Sequence, residues 1–329
     1  MQTRYVHGTA FGGPEVLALA SETLAAPGPG QILIRHDAIG VNFIDILQRR
    51  GDLGREVPYR LGLEAAGEVL AVGKDVTDLV PGDRVACAGG PMGAYAEARL
   101  LGAARAVRLP DGIDARIAAA VFFKGLTADY LVHRMRPLSP GDGVLVTAAA
   151  GGVGQLIVAM LKAAGVMVVG TVGQAAKAEA ARAAGCDHVL VLDQISSAVD
   201  GAAQVRDWTG GKGVAVAYDS IGRATFDLSL AALARFGLLV SYGWASGDVD
   251  PVAPARLREA GSVFLTRPTI GHYTEARKDL VAGAERVFQA LQDGVITANI
   301  HAELALDQAA EAHRLIESRA SEGSIILRR

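Results

Sequence analysis

Three polar residues stand among apolar neighbours at places where a charge or an amide needs a reason. Asn42 and Asp45 lie in IGVNFIDILQRRG (39–51), and Lys124 lies in FFKGLTA (122–128). An ammonium in apolar surroundings requires a partner or a developing negative charge. Lys124 therefore reads either as the group that stabilises an oxyanion or as half of a structural ion pair with Asp45 or Glu64. Asn42 reads either as an amide donor to a substrate or a ribose, or as a turn residue.

A second kind of chemistry is written around Ala148-Ala149-Ala150-Gly151-Gly152-Val153-Gly154, which follows the β-branched run GVLVT (143–147) and opens a helical pattern. Against the pattern GxGxxG, Ala149 stands at the first glycine, and Gly151 and Gly154 fill the second and third. The second glycine lets backbone amides approach a pyrophosphate, the third lets helix and strand pack closely, and the helix start supplies free donors. Alanine at the first place costs little if that turn keeps a negative φ. A dinucleotide site that reads an unmodified ribose carries an acid about 20 residues on, at the end of the second strand. Here that strand ends in GTVGQAAK (170–177), with no acid. The absence removes repulsion of a 2′-phosphate, Gly173 leaves room for it, and Lys177 at the start of the next helix supplies charge. The plain alternative for Lys177 is a solvated helix residue.

These residues need a scaffold, and the patterning supplies one. Runs 31–36, 65–72 and 84–87 read as strands separated by Pro-Gly and Gly-Lys-Asp turns, giving a mostly β unit. From residue 111 the period becomes helical, through 114–135. Strands at 143–147, 166–172, 188–192, 214–218 and 238–242 then alternate with helical segments, including 153–164 and 177–184. That alternation implies βαβ units and a parallel sheet covered on both faces. Helices at 279–292 and 307–319, the second capped by Asp307, and a strand at 324–327 close the chain. The expected fold is α/β, a Rossmann doubly wound sheet inserted into a mostly β domain. Residues 127–263 form the nucleotide domain, and 1–126 with 264–329 form the other.

The chain has 329 residues, half of them hydrophobic, 20% charged, with a net charge of −3. Such a balance offers no electrostatic footprint for nucleic acid or an anionic membrane. Two cysteines, Cys87 and Cys186, and seven scattered histidines give neither a disulfide framework nor a metal-ligand spacing, so no metal site is expected. No apolar segment has signal-peptide or membrane-span character, which predicts a cytoplasmic protein.

Taken together, FGGPEVL (11–17), IGVNFIDILQRRG (39–51), GLEAAGEV (62–69), VPGDRVA (80–86), FFKGLTADYL (122–131), AAAGGVGQ (148–155), TGGKGV (209–214), YDSIG (218–222), LVSYGWASG (239–247), LTRPT (265–269) and AHRLIESRASEG (312–323) resemble the zinc-free quinone oxidoreductases. These zeta-crystallin-like proteins belong to the medium-chain dehydrogenase/reductase superfamily, and the resemblance implies a GroES-like catalytic domain around the Rossmann sheet. Zinc relatives place a cysteine ligand where Asn42 stands and a His-Glu pair where this chain has Leu63-Glu64. The resemblance implies NADPH as cofactor. Phe43, Ile44, Asp45, Thr127 and Tyr130 would lie about the nicotinamide, Gly151, Gly152 and Val153 at the pyrophosphate, and Gly173 and Lys177 at the 2′-phosphate. Ser220, Ser241, Tyr242 and Gly243 would bind from strand ends. Phe264, Arg267 and Arg319 would close the site from the other domain, Arg267 either on a phosphate or in a pair at the domain junction. Asn42, Asp45 and Lys124 are the catalytic candidates.

Relatives often carry tyrosines where this chain has Leu47, Leu53 and Leu192. Those leucines imply a more apolar pocket and leave the phosphate preference to Lys177. The reaction implied is metal-free hydride transfer from NADPH to a quinone, with a homodimer expected as in relatives. An NADPH-dependent reductase of 2-alkenals or enones, acting on a conjugated carbonyl, is the first alternative. A non-enzymatic, crystallin-like NADPH-binding protein is the second.

Overall fold

Strand-forming runs and turn glycines in the first third build more sheet than the apolar pattern alone marks. In the computed structural model, which describes residues 1–54, 56–318 and 321–329, Gln31–Val41 is the long central strand of a seven-stranded sheet. The order is Ile300–Ala305, Ser324–Arg328, Gln31–Val41, Glu64–Val72, Arg84–Ala88, Ala106–Arg108, with Ala98–Gly102 also paired to Gln31–Val41. Ile32, Ile34, Val69, Val85 and Leu101 pack as one apolar cluster against it. A second sheet of three strands pairs Gln2–Gly8 with Leu17–Thr23 and Tyr59–Arg60. Polar residues interrupt QTRYVHG, and LALASET carries its four apolar residues as one run followed by three polar ones, so neither shows the apolar–polar alternation that signals a strand.

The middle of the chain forms six parallel strands. Their order is His188–Val191, Met167–Val172, Gly143–Val146, Val214–Asp219, Leu233–Ser241, Phe264–Thr266. In chain order this is 3-2-1-4-5-6, so the direction of winding reverses between Gly143–Val146 and Val214–Asp219. Ligands of such sheets bind beyond the carboxyl ends at that reversal. Leu145, Val169, Leu190, Ala217 and Leu239 share one buried cluster with Phe226 from the covering helix Phe226–Ala232.

The chain divides into two units: Met1–Leu126 with Tyr273–Gln292 and Ala298–Arg329, and Thr127–His272 with Asp293–Thr297. The boundary expected at 263/264 therefore moves to His272/Tyr273. Phe264–Thr266 pairs in parallel with Leu233–Ser241 and so extends the nucleotide sheet, taking Phe264 and Arg267 with it. The Asp307 cap is also corrected. Leu306–Gln308 forms a tight turn, the helix is Ala309–Glu317, and Gln308 Oε1 accepts the Ala305 amide at 3.0 Å.

Candidate functional site

In the nucleotide unit, the strand Gly143–Val146 runs through Thr147 into the glycine-rich loop, and the helix Gly152–Ala163 starts at once, with Gly151 as its cap. The first amides of a helix have no carbonyl partner within it, and the dipole makes that end positive. A Cβ on Gly154 would sit 2.3 Å from the Ala148 carbonyl oxygen and 3.0 Å from Ala149 Cα, so the helix start packs on the strand end only because residue 154 lacks a side chain. The positive φ of the loop falls on Ala148, at +50°, and not on Ala149. An alanine there is strained by about 1 kcal/mol, and the Gly151 amide donating to Ala148 O at 2.8 Å holds the turn. The residues present fit a bound pyrophosphate: a free helix terminus faced by backbone rather than side chains.

The second strand ends at Val172, and Gly173 opens onto space: a Cβ there would meet nothing within 4 Å. Lys177 closes the tight turn Ala175–Lys177 and begins the short helix Ala178–Ala183. Leu192 packs against the sheet core, so it offers nothing to a phosphate. Asp193, exposed and absent from the sequence reading, donates its backbone amide to Gly173 O at 3.2 Å.

Ser220 stands at the reversal of the sheet. Its amide donates to Thr147 Oγ1 at 2.9 Å, and the two hydroxyls are 3.4 Å apart. The turn that carries Ser220 is held by Asp219, which is fully buried. Its carboxylate accepts the amides of Ile221 and Gly222, both at 2.9 Å, and the hydroxyls of Thr225 and Ser229. Sequence reasoning quoted Asp219 inside YDSIG without a role. The signal was an acid at a strand end, followed by Ser-Ile-Gly and then Thr225 and Ser229. Tyr242 and Gly243 follow the fifth strand, their amides turned to Asp219 O at 2.8 and 3.3 Å. Burial pushes the Tyr242 phenol above its ordinary range.

Arg267 binds this same strand end. Its Nη1 donates to Ser241 O, Ser241 Oγ and Gly243 O at 3.1–3.3 Å, and the guanidinium lies 4.4 Å from the Trp244 ring centroid. Its Nη2 also lies 3.7 Å from Asp248 Oδ1, so these partners, two carbonyls, a hydroxyl, a carboxylate and an indole, all belong to its own unit. Phe264 begins the edge strand opposite Leu238 and is 61% exposed. Arg319 lies outside the described residues.

The other unit gathers the three catalytic candidates. Asn42 precedes the helix Phe43–Arg50, and Asp45 Oδ2 accepts the Asn42 amide at 2.9 Å. That bond leaves the Asn42 side chain free to reach Glu64, with Nδ2 donating to Oε2 at 2.8 Å. Lys124 Nζ reaches the same oxygen at 3.4 Å, and the Phe123 amide donates to Oε1 at 2.6 Å. Glu64 and Asp45 are fully buried, and Asn42 and Lys124 nearly so. Of the two partners considered for Lys124, Glu64 makes the ion pair. Burial pushes the Asp45 carboxyl up to about 7, against the lowering effects of the Asn42 amide, the Tyr95 hydroxyl and Lys124. Phe43 and Ile44 are half-buried on the first turn of their helix, while Thr127 and Tyr130 are buried on the helix Ala115–His133.

Tyr95, His313, Arg49 and Glu317 join this cluster and were not legible from sequence. Tyr95 OH donates to Asp45 Oδ2 at 3.1 Å and lies 3.1 Å from His313 Nε2. Arg49 meets His313 Nδ1 at 3.3 Å and Glu317 through two bonds of 2.8 and 2.7 Å.

A metal does not fit here. Asn42 turns its NH2 group to Glu64, Leu63 has no donor atom, and Glu64 already accepts from three groups. Among the described residues no group of three or more His, Cys, Asp or Glu side chains is placed to hold a metal ion.

A Rossmann sheet with a glycine-rich loop, in one chain with a seven-stranded β unit, defines a medium-chain dehydrogenase/reductase. Residues 28–111 match the alcohol dehydrogenase GroES-like domain and residues 152–290 match the zinc-binding dehydrogenase family. The chain is 43% identical to a quinone oxidoreductase of Pseudomonas aeruginosa, over 97% of both chains. It is 40% identical to a 2-haloacrylate reductase of Burkholderia sp, over 96% of both. Among solved structures, Escherichia coli quinone oxidoreductase complexed with NADPH superposes with a TM-score of 0.94 at 38% identity, covering 99% of this chain and 100% of that one. The chain belongs to the quinone oxidoreductase family of that superfamily.

Proposed function

We propose that the protein is an NADPH-dependent quinone oxidoreductase that needs no metal. The observation that carries this reading is the strand end at Gly173: open, without an acid on its own strand, and followed by Lys177, in a chain whose relatives include quinone oxidoreductases. When bound, NADPH supplies the hydride. The Gly152 and Val153 amides hold its pyrophosphate, with Gly151 and Gly154 keeping the approach clear. Gly173 and Lys177 receive the 2′-phosphate. Ser220, Ser241, Tyr242 and Gly243 bind from the carboxyl ends of the fourth and fifth strands. Arg267 shapes the fifth strand end, and Thr127 and Tyr130 of the same unit border the ring.

Lys124 and Asn42 stabilise the negative oxygen that hydride addition leaves on the acceptor, and Glu64 orients both donors. The quinol monoanion is a phenolate with a pKa near 10, as for tyrosine, so water protonates it without a dedicated acid. Catalysis is then positioning and electrostatics.

A second reading, reduction of a conjugated carbonyl, is favoured by the likeness to 2-haloacrylate reductase. It demands a proton at the α-carbon, which quinone reduction does not. NADPH oxidation measured with 9,10-phenanthrenequinone, 2-hexenal and 2-chloroacrylate separates the two. Turnover with neither class would sink both and leave an NADPH-binding protein.

The edge strand Phe264–Thr266 supports the homodimer reading, since an exposed edge bearing Phe264 offers a second copy both backbone groups and apolar surface. Light scattering on Phe264→Glu should then give the monomer mass.

A further inference from the structure

A one-way chain of buried donors ends at Asp45. A guanidinium only donates, so Arg49 Nη1, 3.3 Å from His313 Nδ1, makes Nδ1 an acceptor. His313 is then neutral with its proton on Nε2, the tautomer fixed by this bond. Burial first, and then the Arg49 charge, hold its pKa at about 3, in keeping with that state. Nε2 donates to the Tyr95 oxygen at 3.1 Å, and the Tyr95 proton goes to Asp45 Oδ2 at 3.1 Å. Asp45, Tyr95 and His313 are all fully buried. Because Arg49 gives up no proton, the chain cannot relay one from solvent to Asp45. It can only orient and polarise.

We propose that Tyr95 and His313 are positioning residues of the reduction: they aim the Asp45 carboxyl at the Asn42 amide and so hold the Asn42 side chain on Glu64. This rests on the reading of Asn42 as part of the reductive site. The charged groups that act on Asp45 are Lys124 on the helix Ala115–His133 and Glu64 on the strand Glu64–Val72, while Arg49 on its own helix and Glu317 on the helix Ala309–Glu317 meet each other beyond His313. Asp45 Oδ1 has no hydrogen-bond partner among the described residues, so the hydrogen bonds that offset the effect of burial on the carboxyl all reach it through Oδ2.

The test follows Asp45 ionisation in the full-length protein by two readouts: the pH profile of kcat with NADPH and 9,10-phenanthrenequinone, and the pH dependence of the urea midpoint. In wild type kcat should show a transition near pH 7, and the urea midpoint should fall as pH rises from about 4 and level off near pH 7; Asp45→Asn removes both. Tyr95→Phe takes a donor from the carboxylate and should move the transition up by about one pH unit. His313→Leu should move it the same way. His313→Gln, whose amide accepts from Arg49 and donates to Tyr95, should return it toward the wild-type position. Folded Tyr95→Phe and His313→Leu proteins with both transitions unmoved would overturn the proposal. Should the protein reduce no acceptor, the urea midpoint still reports the shift, so failure of the enzymatic reading is separately visible.

Discussion

Asn42 Nδ2 and Lys124 Nζ donate to one and the same oxygen, Glu64 Oε2, at 2.8 and 3.4 Å. A single buried carboxylate thus sets where an amide and an ammonium point. The arrangement joins the two readings of Lys124, because the ion pair is what aims it. Lys124→Met keeps the stem volume and leaves Glu64 with the Asn42 and Phe123 donors. We expect kcat with 9,10-phenanthrenequinone to fall about tenfold, which is one charge-assisted hydrogen bond lost in the transition state. KM for NADPH should hold. Steady-state kinetics that show unchanged kcat would dismiss Lys124 from the chemistry.

Lys177 is the charge at the open strand end, and Leu192 is committed to the core. Lys177→Ala should weaken NADPH about tenfold and leave NADH nearly untouched, since a charge-assisted bond is worth about 1.5–3 kcal/mol. Fluorescence titration of the bound nicotinamide gives both dissociation constants. Equal constants in the wild type would sink the phosphate reading.

The two glycines of the nucleotide site should behave oppositely. At Gly173 a new Cβ meets nothing within 4 Å, so Gly173→Asp should fold normally and place a carboxylate where a 2′-phosphate is expected. The preference should then move toward NADH by at least tenfold. At Gly154 a Cβ would strike the Ala148 carbonyl at 2.3 Å. Gly154→Ala should cost about 1–3 kcal/mol of stability by overpacking and lose both cofactors together, as differential scanning fluorimetry with and without each nucleotide would record.

The sequence marks what is local. Gly151, Gly154, Gly173 and Lys177 fall within one strand–helix–strand stretch, and the period change at residue 111 announces the parallel sheet. What escaped depends on contacts across long separations. Tyr95 meets His313 across 218 positions and Arg49 meets Glu317 across 268, and no periodicity carries such pairs. Phe264–Thr266 is three residues long, too short for an apolar pattern, and only its pairing with Leu238 to Val240 assigns it to the nucleotide sheet. Phe43–Arg50, FIDILQRR, was hidden for another reason. Its eight residues span barely two turns, and Asp45 works as a cap rather than as an exposed face residue.

Arg49 is buried to 1% exposure and meets a Glu317 carboxylate that is itself 20% exposed. Removing the acid would leave a guanidinium in the interior, so Glu317→Gln should cost about 3 kcal/mol at pH 7. The pH dependence distinguishes this pair from its neighbours. Hydrogen bonds from Arg49 and then Arg50 hold the Glu317 carboxyl below its ordinary value. A depressed folded pKa contributes stability above the unfolded value of about 4.3 that is lost as pH falls through the folded one. His313, held at about 3 against an ordinary 6.5, also loses stability as pH falls from about 6.5, whereas Asp45, held at about 7, loses it as pH rises from about 4 toward 7. Both of those groups remain in Glu317→Gln, so they largely cancel in the difference between variant and wild type. Urea unfolding at several pH values should therefore show a gap that is constant from pH 7 to 5 and closes below about pH 4. A gap that persists undiminished at pH 3 would mean that the Arg49–Glu317 pair does not hold the carboxylate in its charged form.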